Sequence, residues 1–140
     1  MALTITVPER PSEADKKAVG VPLQAYNLAH GGDPRMRPVA VLLTDEDGKH
    51  VGGLWGKTVY DWLFVEWLAV PEEYRGKAFG TALMQEAERI ARASDCVGIW
   101  LDTFEFQARG FYEKLGFEVF GTLEDHPVGQ SRFFLRKRLR

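Results

Sequence analysis

The sequence predicts an α+β fold: a three-layer α/β/α arrangement around a mixed, mostly antiparallel sheet with one parallel βαβ pair. Three observations carry this. Pro38 to Thr44 is a β-branched run followed by the turn signal Asp45-Glu46-Asp47-Gly48, and Val51 to Tyr60 returns as its hairpin partner. Trp62 to Val70 is apolar on both faces, as expected of a strand in the middle of a sheet. Phe79 to Ala93 then places Ala82, Leu83, Ala87, Ile90 and Ala91 on one helical stripe, before a second apolar strand at Val97 to Phe104. Strand, helix and strand with short joints make a βαβ unit, so those two strands run parallel with a right-handed crossover. Hairpins followed by such a unit give a mixed sheet with helices on its faces.

The remaining elements follow in order. Leu3, Ile5 and Val7 alternate with Thr4 and Thr6, which reads as a strand ended by Pro8 and Pro11. Ser12 is a helix N-cap with Asp15 three residues on, opening a helix to Val19 that Gly20 and Pro22 interrupt. Leu23 to Ala29 forms a second short helix closed by Gly31-Gly32. Phe106 to Leu115 is a helix with Gly116 at its C′ position, and Phe117 to Thr122 and Arg132 to Leu139 are the last two strands.

Length and composition bound the function. The chain has 140 residues, read as a single domain over 1–140, with 45% apolar and 27% charged residues and a net charge of −2. Balanced charge, with one short basic run at Arg136-Lys137-Arg138, argues against a nucleic-acid-binding role. Residues 1 to 11 lack the order of a signal peptide, and no stretch is apolar for long enough to span a membrane. Cys96 is the lone cysteine and forms no intrachain disulfide, so the expected location is the cytoplasm. His30, His50 and His126 have no metal-ligand spacing, so no metal is expected. The four tryptophans, Trp55, Trp62, Trp67 and Trp100, are expected mostly in the core, with Trp55 or Trp67 able to wall a pocket.

The segment from Val70 to Thr81 joins a buried strand to a helix. Gly76 and Gly80 let the backbone approach a ligand closely, and the helix start offers free N–H groups and partial positive charge. Arg75 and Lys77 add charge, so a phosphate or pyrophosphate site is one reading and a plain strand-to-helix turn the other. The spacing matches neither a P-loop nor a dinucleotide fingerprint. Glu66 is the one ionisable residue in the apolar run Trp62 to Val70. Such a carboxylate is costly unless functional or paired, for instance with Arg109 or Arg132.

With Arg75, Ala78 and Gly80 in place, the segment resembles motif A of the GNAT superfamily of acyl-CoA-dependent N-acyltransferases. Ala78 stands where the family has its first glycine, and alanine resists positive φ. Phe111-Tyr112-Glu113-Lys114-Leu115-Gly116-Phe117 is similar to the family's helix-to-strand signature, and the elements match that fold over nearly the whole chain. The resemblance implies an acetyl-CoA-dependent N-acetyltransferase that passes acetyl to a primary amine of a small molecule or peptide by direct attack in a ternary complex. It implies that Arg75, Gly76, Lys77, Ala78, Phe79, Gly80 and Thr81 hold the CoA pyrophosphate, and that backbone groups of Leu68 and Val70 pair with pantetheine. Tyr112 matches the general acid that protonates the leaving thiolate. Glu66 is the candidate base, with Glu105, in the place of a family asparagine, and Asp102 as further carboxylates. A non-catalytic acyl-CoA sensor or scaffold is the alternative. The acceptor has no transferable code; Glu124 and Asp125 hint at a cationic one such as a polyamine or aminoglycoside. Exposed strands near the C-terminus suggest a homodimer.

Overall fold

A computed structural model describes residues 2–140. They fall into two compact units, one ending at Pro34 and one running from Arg35 to Arg140.

The first unit holds one helix, α1 (Glu13–Gly31). Ser12 and Asp15 close a reciprocal capping box: the Asp15 N–H donates to Ser12 Oγ at 3.2 Å and the Ser12 N–H to Asp15 Oδ2 at 2.8 Å. The expected break at Gly20 and Pro22 is absent, and Pro22 lies inside one continuous helix. Proline forfeits one backbone bond and crowds the preceding turn at ~3 kcal/mol. That penalty is local, and the turns on either side remain bonded. Leu3 to Val7 is likewise not a strand, because it pairs with no other strand among the described residues. Alternation marks an amphipathic ribbon, but a ladder partner is what makes a strand.

The second unit is built on β1 (Arg37–Thr44), β2 (His50–Val59), β3 (Trp62–Ala69), β4 (Gly98–Phe104), β5 (Glu118–Glu124) and β6 (Ser131–Arg138), with α2 (Phe79–Ala93) and α3 (Arg109–Lys114). The sheet order is β1-β2-β3-β4-β6-β5. Only β3 and β4 run parallel, joined through α2 as the βαβ pattern requires; every other pair is antiparallel. This is the expected mixed sheet flanked by helices. Leu83, Met84, Ala87 and Ala91 of α2 are buried with Leu54, Leu63, Val65, Ile99, Leu101 and Leu135 of the strands, and Tyr112 and Phe117 extend this core. Free Cys96 is buried in it too, and burial, followed by the nearby Asp61 charge, raises its thiol pKa.

The tryptophans correct the sequence reading, since none of the four is buried. Trp62 and Trp100 are half-buried and Trp55 and Trp67 exposed. Strand residues alternate between faces. The buried positions Leu63, Val65, Ile99 and Leu101 pack with α2, which leaves Trp62 and Trp100 on the opposite side. There Phe64 stacks on Trp100 with centroids 4.1 Å apart.

Candidate active site

Two irregularities in the sheet open a cleft. The parallel ladder between β3 and β4 ends at Val65 and Leu101, although β3 continues to Ala69 and β4 to Phe104. Past that point the strands part and leave backbone groups unpaired on their facing edges. A β-bulge lies beside the divergence: Trp55 of β2 opposes Trp67, the next residue Gly56 opposes Val65, and Glu66 is the extra residue between them. Bulges bend a strand and re-aim its side chains. Gly56 permits this one, because a Cβ there would collide with the Phe64 carbonyl oxygen. The resulting cleft has a volume of about 1190 Å³ and is lined by Glu66 to Val70 on one side and Leu101 to Phe104 on the other.

The joint from Val70 to α2 forms one end of the cleft. Pro71 leads into a single 3-10 turn at Glu72–Tyr74, Arg75 is extended, and Gly76 takes φ 79°. Ala78 is the N-cap of α2 with φ 63° and ψ 21°, a left-handed alanine where the resembling motif has glycine. No side chain caps α2. Its first internal bond is from the Ala82 N–H to the Ala78 carbonyl at 3.1 Å, so the N–H groups of Phe79, Gly80 and Thr81 have no intrahelical acceptor. All three residues line the cleft, as do Arg75, Gly76 and Ala78. Free amides at the positive end of a helix dipole suit a pyrophosphate. Lys77 does not line the cleft. Arg75 acts within the loop as well: its Nε donates to the Val70 carbonyl at 2.9 Å and ties the loop to the end of the strand.

Tyr112 reaches the cleft from α3 and is 9% exposed. Phe111 and Phe117 meet its ring edge-on at centroid distances of 5.0 and 6.1 Å. Burial, and then the negative charge of Asp102, push its pKa up to about 12. The phenol therefore keeps its proton at any ordinary pH. The helix that carries it is shorter than predicted because residues 105–108 form a turn. Gln107 locks that turn, its Oε1 accepting the Phe104 N–H at 2.8 Å and the Thr103 hydroxyl at 3.2 Å. Gln107 lines the cleft and was not legible as a site residue, since a polar residue between a strand and a helix carries no signal of its own.

The three candidate carboxylates separate cleanly. Asp102 lines the cleft but is bound by Arg132, with Nε at 3.0 Å and Nη2 at 2.7 Å. Glu105 lies outside the cleft lining, its Oε2 accepting the Ser131 N–H at 3.2 Å, so it ties the turn to the start of β6. Glu66 lines the cleft and makes no ion pair or side-chain hydrogen bond among the described residues. The ion pairs considered for it are taken elsewhere, Arg132 by Asp102 and Arg109 by Glu113 at 3.2 Å. Glu124 and Asp125 are absent from the lining, and Asp125 Oδ1 accepts the Gly129 N–H at 3.1 Å within its own loop. Among the described residues no group of three His, Cys, Asp or Glu side chains could hold a metal ion.

A helix start with free amides and a buried phenol thus share one cleft with an uncommitted carboxylate, opened by splayed parallel strands. The model of the Acetyltransferase (GNAT) family matches residues 6–117. This chain belongs to the GNAT acetyltransferase family. An acetyltransferase of Agrobacterium fabrum is 39% identical over 123 residues, covering 88% of this chain and 90% of that protein. The blasticidin-S acetyltransferase of Streptomyces morookaense is 36% identical over 107 residues, covering 74% and 79%. The crystal structure of an acetyltransferase from Agrobacterium tumefaciens superposes with a TM-score of 0.92 at 35% identity, over 97% of this chain and 99% of that one. The fold of the chain is that of the GNAT acyltransferases.

Proposed function

We propose that this GNAT protein transfers an acetyl group from acetyl-CoA to a primary amine of a small molecule or peptide, by direct attack in a ternary complex. The observation that carries the reading is the meeting, in one cleft, of the uncapped start of α2, the Tyr112 hydroxyl and the unpaired Glu66 carboxylate. Acetyl-CoA supplies an activated thioester. The amides of Phe79, Gly80 and Thr81 would take its pyrophosphate, with the loop from Arg75 to Ala78 around it. Backbone groups of Leu68, on the free edge of β3, and the N–H of Val70, just past its end, suit the pantetheine amides. Glu66 accepts the proton that an ammonium must lose before its nitrogen can attack. The new C–N bond forms as the C–S bond breaks, and Tyr112 delivers its proton to the departing sulfur. Small-molecule acceptors have a precedent by name in the blasticidin-S relative.

The same proposal includes one functional domain over 1–140, a cytoplasmic location and a homodimer. No helix among the described residues is long and apolar enough to cross a membrane. The N-terminal unit supports the dimer: Leu3, Ile5 and Val7 are at least 90% exposed, and α1 buries no residue. Light scattering at micromolar concentration tests it, and a monomer would remove it. For the chemistry, thermal denaturation with and without millimolar acetyl-CoA is paired with detection of free thiol in the presence of amines. Stabilisation with thiol release supports the reading. Stabilisation without release from any amine points to an acyl-CoA-binding module, and no stabilisation by acetyl-CoA or CoA contradicts the cofactor.

A further inference from the structure

Two exposed aromatic rings give the cleft a chemistry the acetyl-CoA reading does not use. Trp67 of β3 is 67% exposed and Phe106, in the turn after β4, is 64% exposed, and both line the cleft. Two large rings displayed in the lining of one cavity offer flat apolar surface to whatever fills it. Phe106 is also held in place. It stacks on Phe104 at 5.2 Å with the planes 9° apart, and Arg132 sits over Phe104 at 5.3 Å. His126 braces Phe104 edge-on at 5.3 Å. A fixed ring face loses little entropy when a second ring stacks on it.

The charges are equally selective. Asp102 is neutralised by Arg132, and Glu105, outside the cleft lining, holds the Ser131 N–H, which leaves Glu66 as the one uncommitted carboxylate of the three. A polyamine or an aminoglycoside, with several ammonium groups, needs several carboxylates to offset its desolvation. This cleft suits one ammonium joined to a flat apolar body.

We propose that the acceptor is an amine bearing a single ammonium group and a flat aromatic or heteroaromatic ring, recognised by Trp67 and Phe106 and held at its nitrogen by Glu66. This rests on the acetyl-transfer reading of the cleft. The test compares 2-phenylethylamine and tryptamine with 2-cyclohexylethylamine, a saturated twin of similar size, and with spermidine. The expected result is a kcat/KM higher for the flat amines by ~3- to 10-fold, the range that stacking on fixed rings contributes. Trp67→Leu and Phe106→Leu should each erase most of that preference while thermal stabilisation by acetyl-CoA persists. Tryptophan fluorescence supplies a readout independent of turnover: 2-phenylethylamine should quench the protein, and Trp67→Leu should abolish the quenching. Equal rates for 2-phenylethylamine and 2-cyclohexylethylamine, or a preference for spermidine, would overturn the inference. Acetylation of none of the four, with acetyl-CoA binding intact, would instead strike at the acetyl-transfer reading and take this inference with it.

Discussion

Replacing Ala78 with glycine should stabilise this protein. Ala78 caps α2 with φ 63° and ψ 21°, in the left-handed region. An L-residue there brings its Cβ against the following carbonyl at a cost of ~1–2 kcal/mol. Glycine removes that cost but enlarges the conformational freedom of the unfolded chain, which takes back about 0.4–1 kcal/mol. Glycine is also a better N-cap than alanine. The balance is a net gain of roughly 0.5–1 kcal/mol, or a Tm higher by about 1–4 °C for a chain of this size. Affinity for acetyl-CoA should barely change, because the donors are the N–H groups of Phe79, Gly80 and Thr81, which both variants keep. Urea denaturation followed by circular dichroism gives the stability, and an unchanged m-value shows that the midpoint shift is a stability change. The contrasting variant is Ala78→Val, whose β-branched side chain is excluded from this region and should cost more than 1 kcal/mol. A less stable Ala78→Gly, or a valine variant as stable as the parent, would show that residue 78 is not left-handed and that the description of the loop is wrong.

Four further outcomes follow from the cleft and the core. Tyr112→Phe should lower turnover by roughly 10²-fold while leaving acetyl-CoA affinity and folding nearly unchanged; full turnover would make the ring a packing residue. Activity should rise with pH as the acceptor ammonium, with a pKa of about 10, loses its proton. No falling limb should come from Tyr112 below its raised pKa of about 12, so a rate that collapses between pH 8 and 9 would contradict its assignment as the acid. The same shift acts on folding: the unfolded phenol titrates near 10, so the stability gained from the buried neutral form is complete below pH 10 and is lost as pH rises through about 12. Cys96, buried and with its thiol pKa raised, should resist a thiol reagent in the native protein at pH 8 and react on unfolding; rapid native labelling would contradict its burial.

Much of the fold was legible because its signals are local. The stripe of α2 from Ala82 to Ala91 and the turn after Thr44 lie within short windows, as does the Ser12 capping box. The tight joint from Arg75 to the start of α2 was legible for the same reason, since Gly76 announces its backbone conformation. What the sequence hid depends on register and distance. The bulge at Glu66 exists only relative to Gly56 on the neighbouring strand. The Asp102–Arg132 pair joins residues 30 apart and the Glu105–Ser131 bond residues 26 apart, and together they decide which carboxylate is free. The tryptophans were misread because an apolar strand looks the same whether one or both of its faces are covered. Pro22 was read as a stop, which a helix with sound turns on both sides overrides.

The central claim is that one cleft brings the thioester of acetyl-CoA to Tyr112 and Glu66. A crystal structure of the protein with CoA tests it most directly. The account predicts the pyrophosphate on the amides of Phe79, Gly80 and Thr81, pantetheine along the free edge of β3, and the sulfur within hydrogen-bonding reach of the Tyr112 hydroxyl, ~3–3.5 Å. CoA bound away from the start of α2, or a sulfur that cannot approach Tyr112, would contradict it.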